Sequence, residues 1–218
     1  MTDIPPLSAA GFAETMNGVT GDAIPQTVMD RLQAYIEHLT KWQRAINLVG
    51  PKTLADPWRR HILDSAQLLP LLPSADAPLR ISDLGSGAGL PGLVLAIMAD
   101  VEMHLIESDQ RKATFIREAA RITDTAATVH AARVEAVDPL ACDIVTARAL
   151  APMSRLLPWV HRHLRPGGKS LLLKGADVDE ELTLSAKNWT MNISRKQSLS
   201  DASGTVLIIE ELAPITDV

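Results

Sequence analysis

A short apolar strand running into a cluster of glycines leaves a chain few folds to choose from. Here Arg80-Ile81-Ser82-Asp83-Leu84 leads into Gly85-Ser86-Gly87-Ala88-Gly89-Leu90-Pro91-Gly92. A helix is expected next, over Pro91 to Ala99. Strand, glycine turn and helix form the first half of a βαβ unit. The pattern then repeats. Strands are expected at Glu102–Glu107, Ala127–His130, Asp143–Thr146 and Lys169–Leu173. Helices are expected at Gln110–Arg121 and Pro152–Leu164, with a short turn through Ala136. This alternation predicts a mostly parallel sheet with helices on both faces. After a helical segment expected over Asp177–Ala186, Met191–Lys196 and Thr205–Glu210 read as a closing, hairpin-like pair. That makes seven strands.

The first 75 residues carry a different pattern. Ile24, Val28, Leu32, Ile36 and Leu39 recur at helical spacing after Pro25, which suits a first helical turn. This helix is expected to run to about Ile46. A loop follows over Asn47–Asp56. A second helix is expected from Pro57, with Ile62, Ala66 and Leu69 on one face, stopping by Pro70. The chain therefore divides into an N-terminal helical extension, residues 1–75, and one α/β domain, residues 76–218.

At 218 residues, 46% of them hydrophobic, the chain can bury a substantial core, although only 3% are aromatic. The single cysteine, Cys142, excludes an intramolecular disulfide. No signal peptide precedes residue 30, so a reducing cytoplasm is expected. No apolar stretch approaches the roughly 20 residues of a membrane span. A monomer is expected, since no long exposed apolar stripe demands a partner copy. His161 and His163 lie two apart with no cysteine near them, so no metal is expected.

In a doubly wound sheet, ligands bind beyond the carboxyl ends of the strands. Gly87-x-Gly89-x-x-Gly92 fits a dinucleotide pattern, but that match alone is weak. Asp83 argues for a different ligand. A carboxylate two residues before the first glycine suits the ammonium and sulfonium of S-adenosylmethionine and would repel a pyrophosphate. Glu107, at the end of the second strand, suits both hydroxyls of a ribose. The bland alternatives are a turn cap at Asp83 and a surface acid at Glu107. An NAD enzyme shares the second feature but not the first.

The acceptor leaves traces by omission. An exocyclic amine usually calls for an Asn/Asp-Pro-Pro-aromatic motif after the fourth strand, where Thr146-Ala147-Arg148-Ala149 stands. Pyrimidine carbon 5 needs a cysteine nucleophile, and Cys142 reads as core. Guanine N7 needs neither device, because it has a lone pair and no proton to lose.

At this point the chain resembles the ribosomal small-subunit methyltransferase G family, also called glucose-inhibited division protein B. The matching segments include Trp42-x-x-x-Ile46-Asn47-Leu48, His61-Ile62-Leu63-Asp64-Ser65, Asp83 to Gly92, Leu105-Ile106-Glu107-Ser108, Arg133-Val134-Glu135, Thr146-Ala147-Arg148-Ala149 and Lys174-Gly175. Gln43, Leu90 and Arg111 depart mildly from the family pattern. The resemblance implies the Rossmann-like class I S-adenosylmethionine-dependent methyltransferase fold. It implies N7 methylation of one guanosine in the 530 loop of 16S rRNA, within the small ribosomal subunit or an assembly intermediate, with S-adenosylhomocysteine as product. It places cofactor contacts at Gly85, Leu90, Val134, Glu135 and Arg148. With the residues read above, the expected cofactor set is Asp83, Gly85, Ser86, Gly87, Leu90, Glu107, Val134, Glu135 and Arg148. A methyltransferase acting on another RNA or a small molecule is the alternative.

Net charge is −5, yet Ile144 to Ala176 holds no acid. Arg155 and Arg162, seven apart, are expected to share a helix face. With Arg165, Lys169 and Lys174 they are expected to form an RNA-facing surface; solvated helix faces are the alternative. His61 and Asp64 are placed either at the mouth of the site or in a brace between the N-terminal helices and the core. No side chain is expected to act as a catalytic base.

Overall fold

The computed structural model describes residues 5–215. The helix α1, Ala9–Thr20, is bounded by local chemistry. The Ser8 side chain accepts from the Gly11 amide at its start, and Gly21, at φ +82°, returns its amide to the Asn17 carbonyl at its end. The helix α2, Gln26–Trp42, buries Leu32, Tyr35, Ile36 and Leu39 along one stripe. It stops short of the expected Ile46 because Gln43 closes a loop. Its amide oxygen takes the Leu48 and Val49 amides, and its nitrogen donates to the Val49 carbonyl.

The second expected helix is broken. A 3-10 turn at Pro51–Ala55 leads to a π-helical stretch, Trp58–Leu63, then one α-turn, α3, Asp64–Ala66, and a further 3-10 turn at Leu69–Leu71. Wide π turns re-aim side chains and recur at functional sites.

The strands and helices that follow come in the expected order: β1 Leu79–Leu84, α4 Gly92–Met98, β2 Val101–Ile106, α5 Gln110–Ile122, β3 Thr128–His130, β4 Cys142–Arg148, α6 Met153–His163, β5 Leu164–Lys174, α7 Val178–Ser185, β6 Trp189–Gln197 and β7 Thr205–Pro214. Among the described residues one sheet is formed, ordered β3-β2-β1-β4-β5-β7-β6. The first five strands are parallel. β7 pairs antiparallel with β5, and β6 with β7. The sheet is thus mostly, not wholly, parallel. β1 and β4 are nearly all buried, as expected of central parallel strands covered on both faces.

One apolar cluster joins Phe12, Leu32 and Tyr35 to Ile81, Leu93 and Phe115 on one face of the sheet. The other face buries Leu84, Ile106 and Val145 under Leu156, Leu157 and Leu182. The N-terminal helices therefore share a core with the strands. Arg31 ties α2 to the loop after α5, donating to the Asp124 carbonyl and the Thr125 hydroxyl, both at 2.9 Å. Tyr35, fully buried, donates its hydroxyl to the Ala88 carbonyl in the glycine turn at 2.7 Å. Among the described residues, no helix is long and apolar enough to cross a membrane.

The Tyr35→Phe variant leaves that buried carbonyl without its donor. It is expected to lose about 1–2 kcal/mol of stability. Urea unfolding should show a lower midpoint at unchanged slope.

Candidate active site

The loops at the carboxyl ends of β1 to β5 enclose a cavity of about 1080 Å³. Its floor is the glycine turn. Gly85, Gly87 and Gly89 have φ of +64°, +57° and +78°, where side-chain-bearing residues are strained. Gly92 is required for another reason: a Cβ there would lie 2.7 Å from Asp83 Cβ, so α4 could not pack so close to β1.

Glu107 fixes the turn from the next strand. One carboxylate oxygen accepts from the Gly87 amide and the other from the Asp109 amide, each at 2.8 Å. The carboxylate so held lines the cavity beside Ser86, Gly87 and Leu90. Asp109 caps α5 through the Arg111 and Lys112 amides. Val134 and Glu135, in a 3-10 turn after β3, line the same end.

Asp83 departs from its expected placement. It is fully buried and absent from the cavity wall. Its carboxylate accepts from the Gly92 amide at 3.2 Å and the Thr146 hydroxyl at 2.9 Å, joining β1, α4 and β4 beneath the turn. Direct contact with a bound cation is therefore replaced by bracing from below. Burial pushes its pKa up to about 6, against hydrogen bonds from Thr146, Gly92 and Ser86 that pull it down.

Arg148, at the end of β4, meets the N-terminal segment. Its Nη1 faces Asp64 Oδ2 at 3.1 Å, the Arg60 carbonyl at 3.2 Å and His61 Nδ1 at 3.5 Å. The tautomer of His61 follows from its neighbours. The Thr53 hydroxyl donates to the Gly50 carbonyl at 2.6 Å, so it accepts from His61 Nε2–H at 2.9 Å. Nδ1 is left as an acceptor toward Arg148. Burial, then the Arg148 and Arg60 charges, lower the His61 pKa to about 3, so the ring is neutral above that. His61 and Asp64 brace the N-terminal segment to β4, and both residues also line the cavity.

The acid-free stretch divides. Arg155 lies at the rim, with Trp159 5.5 Å beneath its guanidinium. Lys174 also lines the cavity, bound to Glu181 at 2.6 Å and to the Ala151 carbonyl. Arg162 does not. Helix α6 runs back from the carboxyl end of β4, so seven residues carry Arg162 about 10 Å away, where it donates to the Val137 carbonyl. Arg165 pairs with Asp143 at the opposite strand ends, and Lys169 pairs in register with Ile144 there. Of the five basic residues expected beside the mouth, Arg155 and Lys174 line the cavity, and Arg162, Arg165 and Lys169 do not. Cys142 is buried, and burial pushes its thiol up to about 11.

Several cavity residues escaped the sequence reading. The loop between β6 and β7 supplies Ser198, Asp201 and Ser203 to the wall, and Lys112 and Arg133 stand at the other end. Asp201 is tied to Arg60 at 2.6 Å and Ser200 to Asp64 at 2.5 Å. Nothing in the sequence marks that loop, because its partners lie more than 130 residues away.

The raised Asp83 pKa gives a pH test. Its folded value, about 6, exceeds the ordinary 3.8. The associated stability is fully present below about pH 4 and is lost as pH rises through 6, by roughly 3 kcal/mol. An Asp83→Asn variant carries no such titration. Its stability relative to the parent should rise between pH 4 and 7 in urea unfolding. A difference independent of pH would contradict the buried charge.

Comparison with known proteins bears on the family and the fold. The family profile described as rRNA small subunit methyltransferase G matches residues 28–208. A protein named ribosomal RNA small subunit methyltransferase G from Paramagnetospirillum magneticum is 51% identical over 195 residues, covering 89% of this chain and 94% of that protein. The protein of the same name from Rhodospirillum rubrum is 52% identical over 190 residues, covering 87% and 93%. Among solved structures, M. jannaschii TYW2 in complex with AdoMet aligns with TM-score 0.55 at 12% identity, covering 79% of this chain and 80% of that one. A ribosomal protein L11 methylase from Lactobacillus delbrueckii aligns at 0.53 with 16% identity, covering 63% and 72%. These structural likenesses show the fold, that of class I methyltransferases. The sequence relationship shows the family: this chain belongs to the rRNA small subunit methyltransferase G family.

Proposed function

We propose that this methyltransferase transfers the methyl group of S-adenosylmethionine to N7 of a guanosine in 16S rRNA, acting as a cytoplasmic monomer on the small ribosomal subunit or its precursor. The observation that carries the reading is the cradle formed by the glycine turn and Glu107. A Cβ on Gly87 would meet no protein atom closer than 3.9 Å, so the space above the turn is left to a ligand. A fixed, cavity-lining carboxylate stands beside it, suited to ribose hydroxyls. Gly85, Ser86, Gly87 and Leu90 would hold the methionine portion, Glu107 the ribose, and Val134 and Glu135 the adenine. The bound cofactor supplies an electrophilic methyl group on a cationic sulfur. The buried Asp83 charge beneath the turn favours that cation and disfavours a pyrophosphate.

N7 carries no proton, and neutral His61 has its Nε2–H committed to Thr53. What this chain's residues contribute is alignment and exclusion of water. The rate at saturating substrates is expected to be level between pH 7 and 9. A basic ionisation in that range that disappears on mutating His61 would contradict the reading.

An RNA acceptor is favoured over a small molecule by the rim. Lys112, Arg133 and Arg155 line the cavity, and among the described residues no acid lies within 4.0 Å of their charged groups. Unpaired cations of this kind suit phosphates. Replacing all three by alanine should weaken rRNA binding and reduce its salt slope by about 2. Arg162→Ala should change neither.

The decisive experiment is nucleoside mass spectrometry of 16S rRNA treated with the protein and S-adenosylmethionine, expected to yield 7-methylguanosine. In the same preparation, Glu107→Ala should weaken cofactor binding by about 1–3 kcal/mol in calorimetry. A shift below about threefold would remove Glu107 from the ribose site.

A further inference from the structure

The cavity has two ends on opposite sides of the point where strand order reverses. Glu107, Val134 and Glu135 lie at the first, after β2 and β3. The second is walled by Arg60, Ser198, Asp201, Ser203 and Thr205, from the N-terminal segment and the loop between β6 and β7. At about 1080 Å³ the space slightly exceeds the roughly 300–1,000 Å³ usual for a single ligand. With the cofactor along the first end and the glycine turn, and Arg148 among its contacts as the family resemblance implies, the second end is left for the acceptor base.

At that second end one carboxylate is both fixed and open. Asp201 Oδ1 accepts from the Ser203 amide at 2.9 Å and the Ser203 hydroxyl at 2.7 Å. Its Oδ2 accepts from Arg60 Nη1 at 2.6 Å and, among the described residues, from no second donor. A carboxylate oxygen takes about two hydrogen bonds, so Oδ2 has room for one more. The Asp201 side chain is 36% exposed, against 18% for Asp64, whose own Oδ2 is held by Arg148. Glu181 is taken up by Lys174 and the Met153 amide. Asp177 stands exposed at the rim with no side-chain cap bond to hold it. The Arg60 guanidinium, then the Ser203 amide and hydroxyl, hold the Asp201 carboxyl down at about 2. It is therefore charged at any working pH and acts as an acceptor, not as a base.

We propose that Asp201 accepts a hydrogen bond from the exocyclic N2 amine of the acceptor guanine. The inference rests on the N7 reading above. N7 and the N2 amine lie on opposite edges of guanine, those that face the major and the minor groove of a duplex. An N7 aimed at a methyl group over the glycine turn therefore sends the amine toward the far wall, where the loop between β6 and β7 stands. Adenine has no amine on that edge and presents only the N3 acceptor there. A carboxylate facing that edge admits guanine and rejects adenine.

The contact also strengthens as the reaction proceeds. As the N7 lone pair forms its bond to the methyl carbon, the methyl–sulfur bonding pair withdraws onto sulfur. One positive charge passes to the base and no proton moves. The N2 amine is conjugated with that ring, so its N–H becomes a stronger donor as the charge develops. A negative acceptor facing it binds the transition state more tightly than the ground state. Because Arg60 and Ser203 already hold the carboxylate, little reorganisation is needed at that moment.

The test uses 16S rRNA in which the guanosine methylated by the parent enzyme is replaced by inosine, which keeps N7 and O6 and lacks only the N2 amine. Transfer of a labelled methyl group gives kcat/KM on each RNA. The parent should lose about 10- to 100-fold on inosine RNA. Asp201→Asn, which keeps the shape and removes the charge, should lose about as much on guanine RNA but no more than about threefold on inosine RNA, since the contact it impairs is already absent there. Its cofactor affinity by calorimetry should stay within about threefold of the parent. Equal losses by the variant on both RNAs would make Asp201 merely a brace for Arg60 and overturn the proposal. So would a large loss of cofactor affinity, which would place Asp201 at the cofactor. Should the variant not fold, a parent that methylates both RNAs equally well overturns the proposal by itself. Failure of the N7 reading is separable: the parent would then form no 7-methylguanosine on unmodified RNA.

Discussion

Asp83 carries a carboxylate into the centre of a parallel sheet, and the glycine turn, the start of α4 and the end of β4 all depend on what it binds there. Its two oxygens take the Gly92 amide and the Thr146 hydroxyl, so the first βα connection is fixed to the strand across the switch point. The ionised group is costly to bury, which is why its pKa rises. The arrangement trades stability for a turn held at a defined height under the cavity, with negative charge below a site suited to a cation.

The second end of the cavity is built by the two ends of the chain. Because β7 runs antiparallel to β5, its first residue, Thr205, lies opposite Lys174, and the loop before it arrives at the same edge of the sheet as the carboxyl ends of the parallel strands. That loop meets the N-terminal segment through Arg60–Asp201 and Asp64–Ser200. A wholly parallel sheet would have no such loop at this edge. The single antiparallel strand and the helical extension thus close a cavity that the βαβ core leaves open. Tyr35 does the equivalent at the other end, bringing α2 to the glycine turn through Ala88.

Reading alone separates residues that face each other in sequence from those that face each other in space only where the periodicity is strong. The glycine turn, Glu107 and the alternation of strands and helices were legible, because turn chemistry and apolar patterning are local. The broken second helix was less so, since a π turn through Trp58–Leu63 has no distinct residue signature. Tyr35 stands outside the apolar stripe read from the sequence, and the partner of its hydroxyl is known only once its burial is known.

The basic stretch shows the limit most plainly. Composition showed Arg155, Arg162, Arg165, Lys169 and Lys174 without an acid among them. It could not show that a helix returning antiparallel to its strand carries Arg162 away from the mouth, or that Arg165 meets Asp143 at the far edge. The same holds for Asp83, whose identity suggested a cation nearby while its orientation was set by packing against Gly92. Sequence by itself determined the fold class, the place of the glycine turn and the family. Tertiary structure decided which charges share the cavity, because that depends on strand order and helix direction, which join residues more than a hundred positions apart.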